Sequence, residues 1–128
     1  RAGILTPSQL EGDYATGELL EQPTVRTPAG ETLRLDDLLG TGFAIVGRDE
    51  SALRVEGDGQ AALHALNIQR LPIHNLEVVE GRFDPLFKKH SAVVLRPDRY
   101  IYGVVDDASS LDDLLVDLAR KLELRTRQ

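Results

Sequence analysis

The chain contains no cysteine, no methionine and no tryptophan, and its aromatic residues are three tyrosines and three phenylalanines. Without cysteine, a disulfide framework, a thiolate zinc site and thiol catalysis are all excluded. A chain without disulfides fits the cytoplasm, which is the location we expect. Long apolar runs are also missing, because runs such as residues 43–46 fall far short of the ~20 residues of a membrane span. No secretory signal pattern opens the sequence.

Positive charge is scarce. The chain has 21 acidic and 15 basic side chains, a net charge of −6. Nucleic-acid binders usually carry a concentrated basic face, and the locally basic segment here, residues 120–127, is explained by the preference of cations for a helix C-terminus. We therefore expect neither nucleic acid nor membrane as a partner. The first residue is Arg1, so we expect a processed product or a fragment of a longer protein.

A length of 128 residues with 41% hydrophobic residues suits one domain with a modest core. Residues 1–22 show no sustained period and are punctuated by glycine, proline, serine and threonine, which predicts an extended arm or linker. Residues 23–128 then form the predicted domain.

The domain begins with a hairpin signal. Two β-prone stretches, residues 23–27 and 32–35, flank a turn at Pro28-Ala29-Gly30-Glu31. Asp36 is predicted to cap a short helical turn that ends at Gly40. The apolar residues 43–46 then predict a central strand buried on both faces.

Further elements follow from patterning along the chain. Asp58 is predicted to cap a helix from Gln60 to about Leu66, and residues 73–79 are the candidate for a second central strand. Ala92–Leu95 and residues 100–105 predict a second hairpin. The last helix is predicted to be capped by Ser109 or Ser110 and to run for about three turns. Its apolar face would be Leu111, Leu114, Leu115, Leu118, Ala119 and Leu122.

This order of elements is that of the thioredoxin-like fold. A strand–helix–strand unit is followed by an antiparallel hairpin and a closing helix. We therefore predict an α/β fold with a central mixed sheet of about four to six strands, flanking helices and an N-terminal extended arm.

Two stretches resemble known families. Residues 30–40, with the strand that follows, resemble the entry of peroxiredoxin-like domains. Residues 35–47 together with residues 94–101 (Val-Leu-Arg-Pro-Asp-Arg-Tyr-Ile) resemble the C-terminal domain of FAD-dependent aromatic-ring hydroxylases of the 3-(3-hydroxyphenyl)propionate hydroxylase type. The resemblance implies a parent enzyme that uses FAD and NAD(P)H, in which this thioredoxin-like domain serves assembly, dimerisation or stability.

The catalytic groups of both families are missing from the sequence. Where a thioredoxin carries its thiolate, this chain has residues 47–51 (Gly-Arg-Asp-Glu-Ser), and Ser51 cannot replace a thiolate. His90-Ser91 stands where the cis-proline usually lies. No GxGxxG turn for FAD is present, and Gly57-Asp58-Gly59 is interpreted as a helix-entry loop.

Other chemistry-bearing residues are also predicted to be structural. His64, His74 and His90 match no metal-ligand spacing. The carboxylate pairs cannot act together across one bond because adjacent side chains point in different directions, and helix capping is the better account of them. These pairs are Asp36-Asp37, Asp106-Asp107 and Asp112-Asp113. We therefore assign no catalytic, cofactor-binding or metal-binding residue to this segment.

A protein partner is the remaining possibility. We expect the parent flavin and substrate domains, or a second copy in a homo-oligomer, to contact residues 1–22 and the hairpin at residues 96–105, with Tyr100, Ile101 and Tyr102 as candidate anchors. The alternative is a free-standing, redox-inactive thioredoxin-like binding module. A flavoprotein coding segment upstream would distinguish the first possibility from the second.

Overall fold

A computed structural model describes residues 18–126. Seven strands, three α-helices and two 3-10 helices alternate along this part of the chain, and the strands form two separate sheets. The elements are β1 (Thr24–Arg26), β2 (Thr32–Arg34), a 3-10 helix (Leu35–Leu38), β3 (Ala44–Gly47), a second 3-10 helix (Ser51–Leu53), α1 (Gly59–Ala65), β4 (Gln69–Pro72), β5 (Glu77–Glu80), α2 (Leu86–Lys89), β6 (Ala92–Leu95), β7 (Ile101–Val105) and α3 (Ala108–Thr126).

The larger sheet has four strands in the order β4-β3-β6-β7. Strand β3 runs parallel to β4 and antiparallel to β6, with Ile45 opposite Val94, and β7 is antiparallel to β6. Helix α1 connects the two parallel strands, and α3 follows the closing hairpin. This is the thioredoxin-like arrangement, so the predicted fold class is confirmed.

The sheet is covered on both faces, which explains why residues 43–46 are apolar without alternation. On one face, Ile45 and Val94 pack with α1 and α3 around Leu114 and Leu118. On the other face, Val46 and Val93 belong to a second cluster with Leu35 and Ile101. Each face buries alternate residues of the same strands.

The smaller sheet has three strands in the order β2-β1-β5. Its first two strands form the predicted hairpin, with Val25 opposite Leu33. Gly30 takes a φ of 91° in the turn and donates its N–H to Thr27 O at 2.9 Å. A positive φ at this point is readily adopted by glycine.

The prediction of a second central strand at residues 73–79 is wrong. The strand parallel to β3 is β4, which begins four residues after the end of α1. It lies at the edge of the sheet, and its polar residues Gln69 and Arg70 are exposed. The β-prone Glu77–Glu80 instead joins the smaller sheet, where Val25 pairs with Val78. Apolar character therefore did not identify the edge strand.

Helix α3 is longer than predicted and is capped differently. It has 19 residues, about five turns. Asp107, rather than Ser109 or Ser110, caps it: the Asp107 carboxylate accepts the Ser110 N–H at 2.8 Å, and the Ser110 hydroxyl donates to Asp107 O at 2.9 Å. The predicted apolar face is confirmed, since Leu111, Leu115 and Leu118 are fully buried.

Two other predicted caps are also wrong. The Asp58 side chain makes no capping hydrogen bond to α1. At the first 3-10 helix the Asp37 carboxylate, not that of Asp36, accepts a backbone N–H, from Arg34 at 3.1 Å. None of the helices within residues 18–126 combines the length and the apolar character that a membrane span requires.

Candidate functional site

The segment after β3 occupies the place where a thioredoxin carries its reactive thiol. Here the Asp49 carboxylate accepts the Ser51 hydroxyl at 2.8 Å and the Ala52 N–H at 3.0 Å. The Ser51 hydrogen bond is the main cause that lowers the pKa of Asp49, and the Ala52 N–H adds to it. The Ser51 hydroxyl thus donates to a carboxylate whose lowered pKa makes it a weak base, so the pair does not activate Ser51 as a nucleophile.

The second half of a thioredoxin redox site would be His90-Ser91, and the structure places it beside the first half. Ser91 donates both its N–H and its hydroxyl to Val105 O, at 2.8 and 2.9 Å, and its own carbonyl accepts the Arg48 N–H at 2.9 Å. His90 Nδ1 lies 2.7 Å from Asp106 Oδ1. Ser91 therefore extends the backbone pairing of β6 with β7 and with the end of β3.

A polar cavity of about 280 Å³ lies between the segment after β3 and the residues that flank β6 and β7. Its lining combines one guanidinium with three carboxylates and two hydroxyls, from Arg48, Asp49, Ser51, Ala52, Ser91, Asp106 and Asp107. Within residues 18–126 no group of three or more histidine, aspartate or glutamate side chains is arranged to hold a metal ion. The hydroxyls of Ser51 and Ser91 donate to Asp49 and to Val105 O, and neither is paired with a histidine that could act as its base.

The three histidines are dispersed. His64 lies on the exposed side of α1, His74 Nε2 is 3.2 Å from Glu50 Oε1, and His90 contacts Asp106. The carboxylate pairs also separate, as predicted from the divergence of adjacent side chains. Capping accounts for one member of each of the first two pairs, Asp37 and Asp107. The other members, Asp36 and Asp106, contact Arg99 and His90, respectively.

Asp112 has a role that the sequence did not reveal. Its Oδ1 accepts the Gly59 N–H at 2.6 Å, so a carboxylate from α3 occupies the N-terminus of α1. Gly57 and Gly59 leave room for it, because a Cβ at either position would lie less than 3 Å from the Asp112 carboxylate. The predicted helix-entry loop is confirmed. An internal carboxylate thus occupies the N-terminus of α1, where a helix favours an anion.

The turn between β6 and β7 carries two buried arginines. Arg96 donates to Asp98 through Nε at 3.1 Å and Nη2 at 2.5 Å, and its guanidinium lies 5.5 Å from the centre of the Tyr100 ring. Arg99, at a φ of 68°, donates to Asp36 Oδ1 at 2.6 Å and to Gly42 O at 2.8 Å, and also to Gly40 O. The turn is thereby fixed to the loop that leads into β3.

The final residues of the predicted arm pair with this same hairpin. Leu20 donates its N–H to Arg99 O at 3.2 Å, Glu18 O accepts the Ile101 N–H at 2.8 Å, and Leu19 bridges to Tyr100. The Leu20 side chain is buried in the second core cluster. Residues 1–17 of the predicted arm lie outside the described residues.

Two of the proposed interface anchors are wrong. Ile101 is fully buried and Tyr102 is 2% exposed, so both belong to the domain's own core. The Tyr102 hydroxyl donates to Asp117 Oδ2 of α3 at 2.6 Å. Tyr100 lies before the strand, half-buried, so the two tyrosines do not form a common exposed face.

Comparison with known proteins agrees with this architecture. A family model described as the HcaD C-terminal domain matches residues 17–121. The chain belongs to the HcaD C-terminal domain family. The match begins inside the predicted arm, which agrees with the pairing of Glu18, Leu19 and Leu20 on the hairpin.

Curated relatives are named as hydroxylases. The 3-(3-hydroxy-phenyl)propionate/3-hydroxycinnamic acid hydroxylase of Paraburkholderia xenovorans (strain LB400) is 32% identical over 132 residues, covering 85% of this chain and 20% of the relative. The protein of the same name from Burkholderia cenocepacia (strain HI2424) is 32% identical over 116 residues, covering 73% of this chain and 21% of the relative. The chain thus spans about one-fifth of their length.

A solved structure has the same fold. It is that of aklavinone-11 hydroxylase in a ternary complex with FAD and aklavinone, with a TM-score of 0.51 and 19% identity. The similarity covers 76% of this chain and 20% of that one. The predicted family, the C-terminal thioredoxin-like domain of FAD-dependent aromatic hydroxylases, is confirmed.

Proposed function

We propose that this chain is the non-catalytic C-terminal domain of an FAD-dependent aromatic-ring hydroxylase, and that it stabilises the parent enzyme and its assembly. FAD and NAD(P)H would be bound by the preceding domains of that parent, and an aromatic acid of the kind named in the relatives would be its substrate. The division into an arm at residues 1–22, of which residues 18–20 pack on the β6–β7 hairpin, and a domain at residues 23–128 is part of this proposal. So is the cytoplasmic location expected from the cysteine-free composition.

The anchoring of Glu18, Leu19 and Leu20 on the hairpin supports the proposal most strongly. The chain enters the domain next to Arg99, whose three polar contacts fix the hairpin turn to the loop before β3. An upstream domain would therefore be joined to a rigid point of the fold. Such a junction limits the relative motion of two domains, which otherwise is the default expectation for a flexible link.

The chemistry of the thioredoxin position supports the non-catalytic part of the proposal. The Asp49–Ser51 turn and the Ser91 hydrogen bonds engage the polar groups there in backbone and side-chain pairing. The α1 N-terminus, where an activated group would gain from the helix dipole, is capped by Asp112. These groups stabilise the domain itself.

The test is a pair of substitutions in the parent flavoprotein at neighbouring residues of the arm. Leu20→Asp places a charge in the core, whereas Leu19 is 57% exposed and Leu19→Asp is the matched control. We expect Leu20→Asp to lower the melting temperature or the mass in light scattering, with hydroxylation per bound flavin retained. An unchanged mass and melting temperature with hydroxylation lost would mean that the domain takes part in catalysis.

A further inference from the structure

The smaller sheet ends in an edge strand that is exposed along its whole length. Within residues 18–126, β5 pairs with β1 and with no other strand, and all four of its residues are exposed. Val78 and Val79 are 37% and 45% exposed. The other large apolar side chain of residues 18–126 that is exposed to this degree is Leu19. Two of these three side chains are therefore adjacent in one short strand.

A bulge interrupts this edge. Val25 pairs with Val78 and Thr24 pairs with Glu80, so Val79 is an extra residue without a partner in β1. A bulge disrupts the row of N–H and C=O groups that a further strand would need. A partner at β5 would therefore be bound by its side chains rather than by an added strand.

The chain enters the domain beside the end of β5. Gly81 directly follows this strand, and a Cβ at Gly81 would lie 3.5 Å from Pro23 Cα. Arg82 donates to both carboxylate oxygens of Glu21, each at 3.0 Å. The segment before Pro23 is thus fixed next to β5. In a parent of the length of the curated relatives, of which this chain spans about one-fifth, the preceding domains would be tethered at this point. A tether raises their effective concentration at β5.

The charges around the two valines leave one carboxylate unpaired. Arg26 pairs with Glu77 and Arg82 pairs with Glu21, both at 3.0 Å. Glu80 forms no ion pair within residues 18–126. A second copy of β5 would bring the glutamates of two identical strands together, which disfavours self-pairing. A complementary surface instead has an apolar centre and one basic side chain.

We propose that Val78, Val79 and Glu80, here called the β5 patch, bind the preceding domains of the parent flavoprotein. The surface that they contact has an apolar centre for the valines and a lysine or arginine that pairs with Glu80. This inference rests on the proposed function and names the surface through which the domain supports its parent. Together with the fixed entry at Glu21, the β5 patch would hold the preceding domains at two neighbouring points, which restricts domain motion.

The test is hydrogen–deuterium exchange of a peptide covering residues 77–82, measured by mass spectrometry in the 128-residue chain and in the parent flavoprotein. We expect exchange in the parent to be about fivefold or more slower than in the 128-residue chain. Equal exchange in the two proteins would overturn the proposal. If the peptide becomes protected in the 128-residue chain as its concentration rises, a second copy occupies the β5 patch and the proposal is wrong.

Substitutions test the chemistry of the contact. Val79→Lys and Glu80→Lys should each remove the protection and lower the melting temperature of the parent. Both should leave the melting temperature of the 128-residue chain nearly unchanged, because the two side chains are exposed. Glu56→Lys is the matched control, since Glu56 is exposed and lies before α1, outside the smaller sheet. Protection retained in both β5 variants would contradict the proposal.

The Leu20→Asp variant separates this proposal from the assembly role. If Leu20→Asp destabilises the parent while Val79→Lys and Glu80→Lys do not, the domain supports its parent through another surface and the β5 proposal alone is wrong. If none of the three destabilises the parent, both proposals are wrong.

Discussion

Arg99 donates a hydrogen bond to Asp36 across 63 residues of sequence, with Nε 2.6 Å from Oδ1. The Arg99 side chain is 10% exposed and that of Asp36 is 45% exposed. These two residues lie in the two stretches, residues 35–47 and 94–101, that carry the family resemblance. The resemblance therefore follows one structural unit, in which β3 and β6 pair and the hairpin turn is fixed to the loop before β3.

The first prediction concerns this contact. Arg99→Gln removes a charged hydrogen bond and leaves the Gly40 and Gly42 carbonyls without their donor, so it should lower the free energy of unfolding by about 1–3 kcal/mol. Arg26→Gln is the matched control, because the side chains of the Arg26–Glu77 pair are 48% and 67% exposed and the pair should contribute roughly 0–1 kcal/mol. Urea denaturation of the chain measures both. Equal losses of unfolding free energy in the two variants would show that the Arg99 contacts stabilise the fold no more than the exposed Arg26–Glu77 pair does.

The second prediction concerns the α3 interface. Leu118 is fully buried against the sheet, and Leu118→Ala should cost about 2–5 kcal/mol through lost contacts and a cavity. Leu19→Ala, at a leucine that is 57% exposed, should change the stability by roughly 0.5 kcal/mol or less. An unchanged denaturation midpoint for Leu118→Ala would mean that α3 does not pack as described.

The third prediction concerns the Asp112 cap. A Cβ at Gly59 would lie 2.8 Å from Asp112 Oδ1, so Gly59→Ala should displace the carboxylate and cost about 1–3 kcal/mol. Gly42→Ala is the control, because nothing lies within 4 Å of its Cβ and its φ is not positive. In an Asp112→Ala background the cost of Gly59→Ala should shrink, as a double-mutant cycle by thermal unfolding would show. If the two substitutions change the unfolding free energy in a strictly additive way, Gly59 and Asp112 do not interact as described.

The fourth prediction is about pH. The Ser51 hydroxyl lowers the pKa of Asp49 below its ordinary value of 3.8. The ionised Asp49 carboxylate therefore contributes fully to stability above pH 3.8, and this contribution is lost as the pH falls through the lowered pKa of the folded state. Ser51→Ala should raise the Asp49 pKa toward 3.8, measured by carboxyl carbon NMR. The pKa of Glu21, lowered by its hydrogen bond with Arg82, should stay unchanged, which makes it an internal control.

The sequence predicted elements that have strong local signals and missed contacts that depend on the fold. The β1–β2 hairpin, the buried β3 and the leucine face of α3 all follow from periodicity and turn residues. Strand β4 was missed because its exposed, polar residues resemble a loop. The cap of α3 was misassigned because Asp107 and Ser110 are both good capping residues, and they act together.

The long-range polar contacts are harder to predict from the sequence. The sequence indicates a loop at Gly57 and Gly59, but nothing near them indicates that a carboxylate 53 residues away caps the helix. Arg99 lies in a turn that the sequence predicts, but its left-handed φ and its contacts with Asp36, Gly40 and Gly42 depend on the assembled strands. The pattern of residues 94–101, with two arginines around a proline and an aspartate, was the available signal.

The central claim is that this domain supports the parent enzyme without taking part in its chemistry. The most direct measurement compares the parent flavoprotein with a version that ends before Pro23, by light scattering, thermal unfolding and hydroxylation per bound flavin. We predict a lower mass or a lower melting temperature for the shortened enzyme, with flavin still bound and hydroxylation retained below its melting temperature. The same mass and melting temperature with hydroxylation abolished would contradict the account.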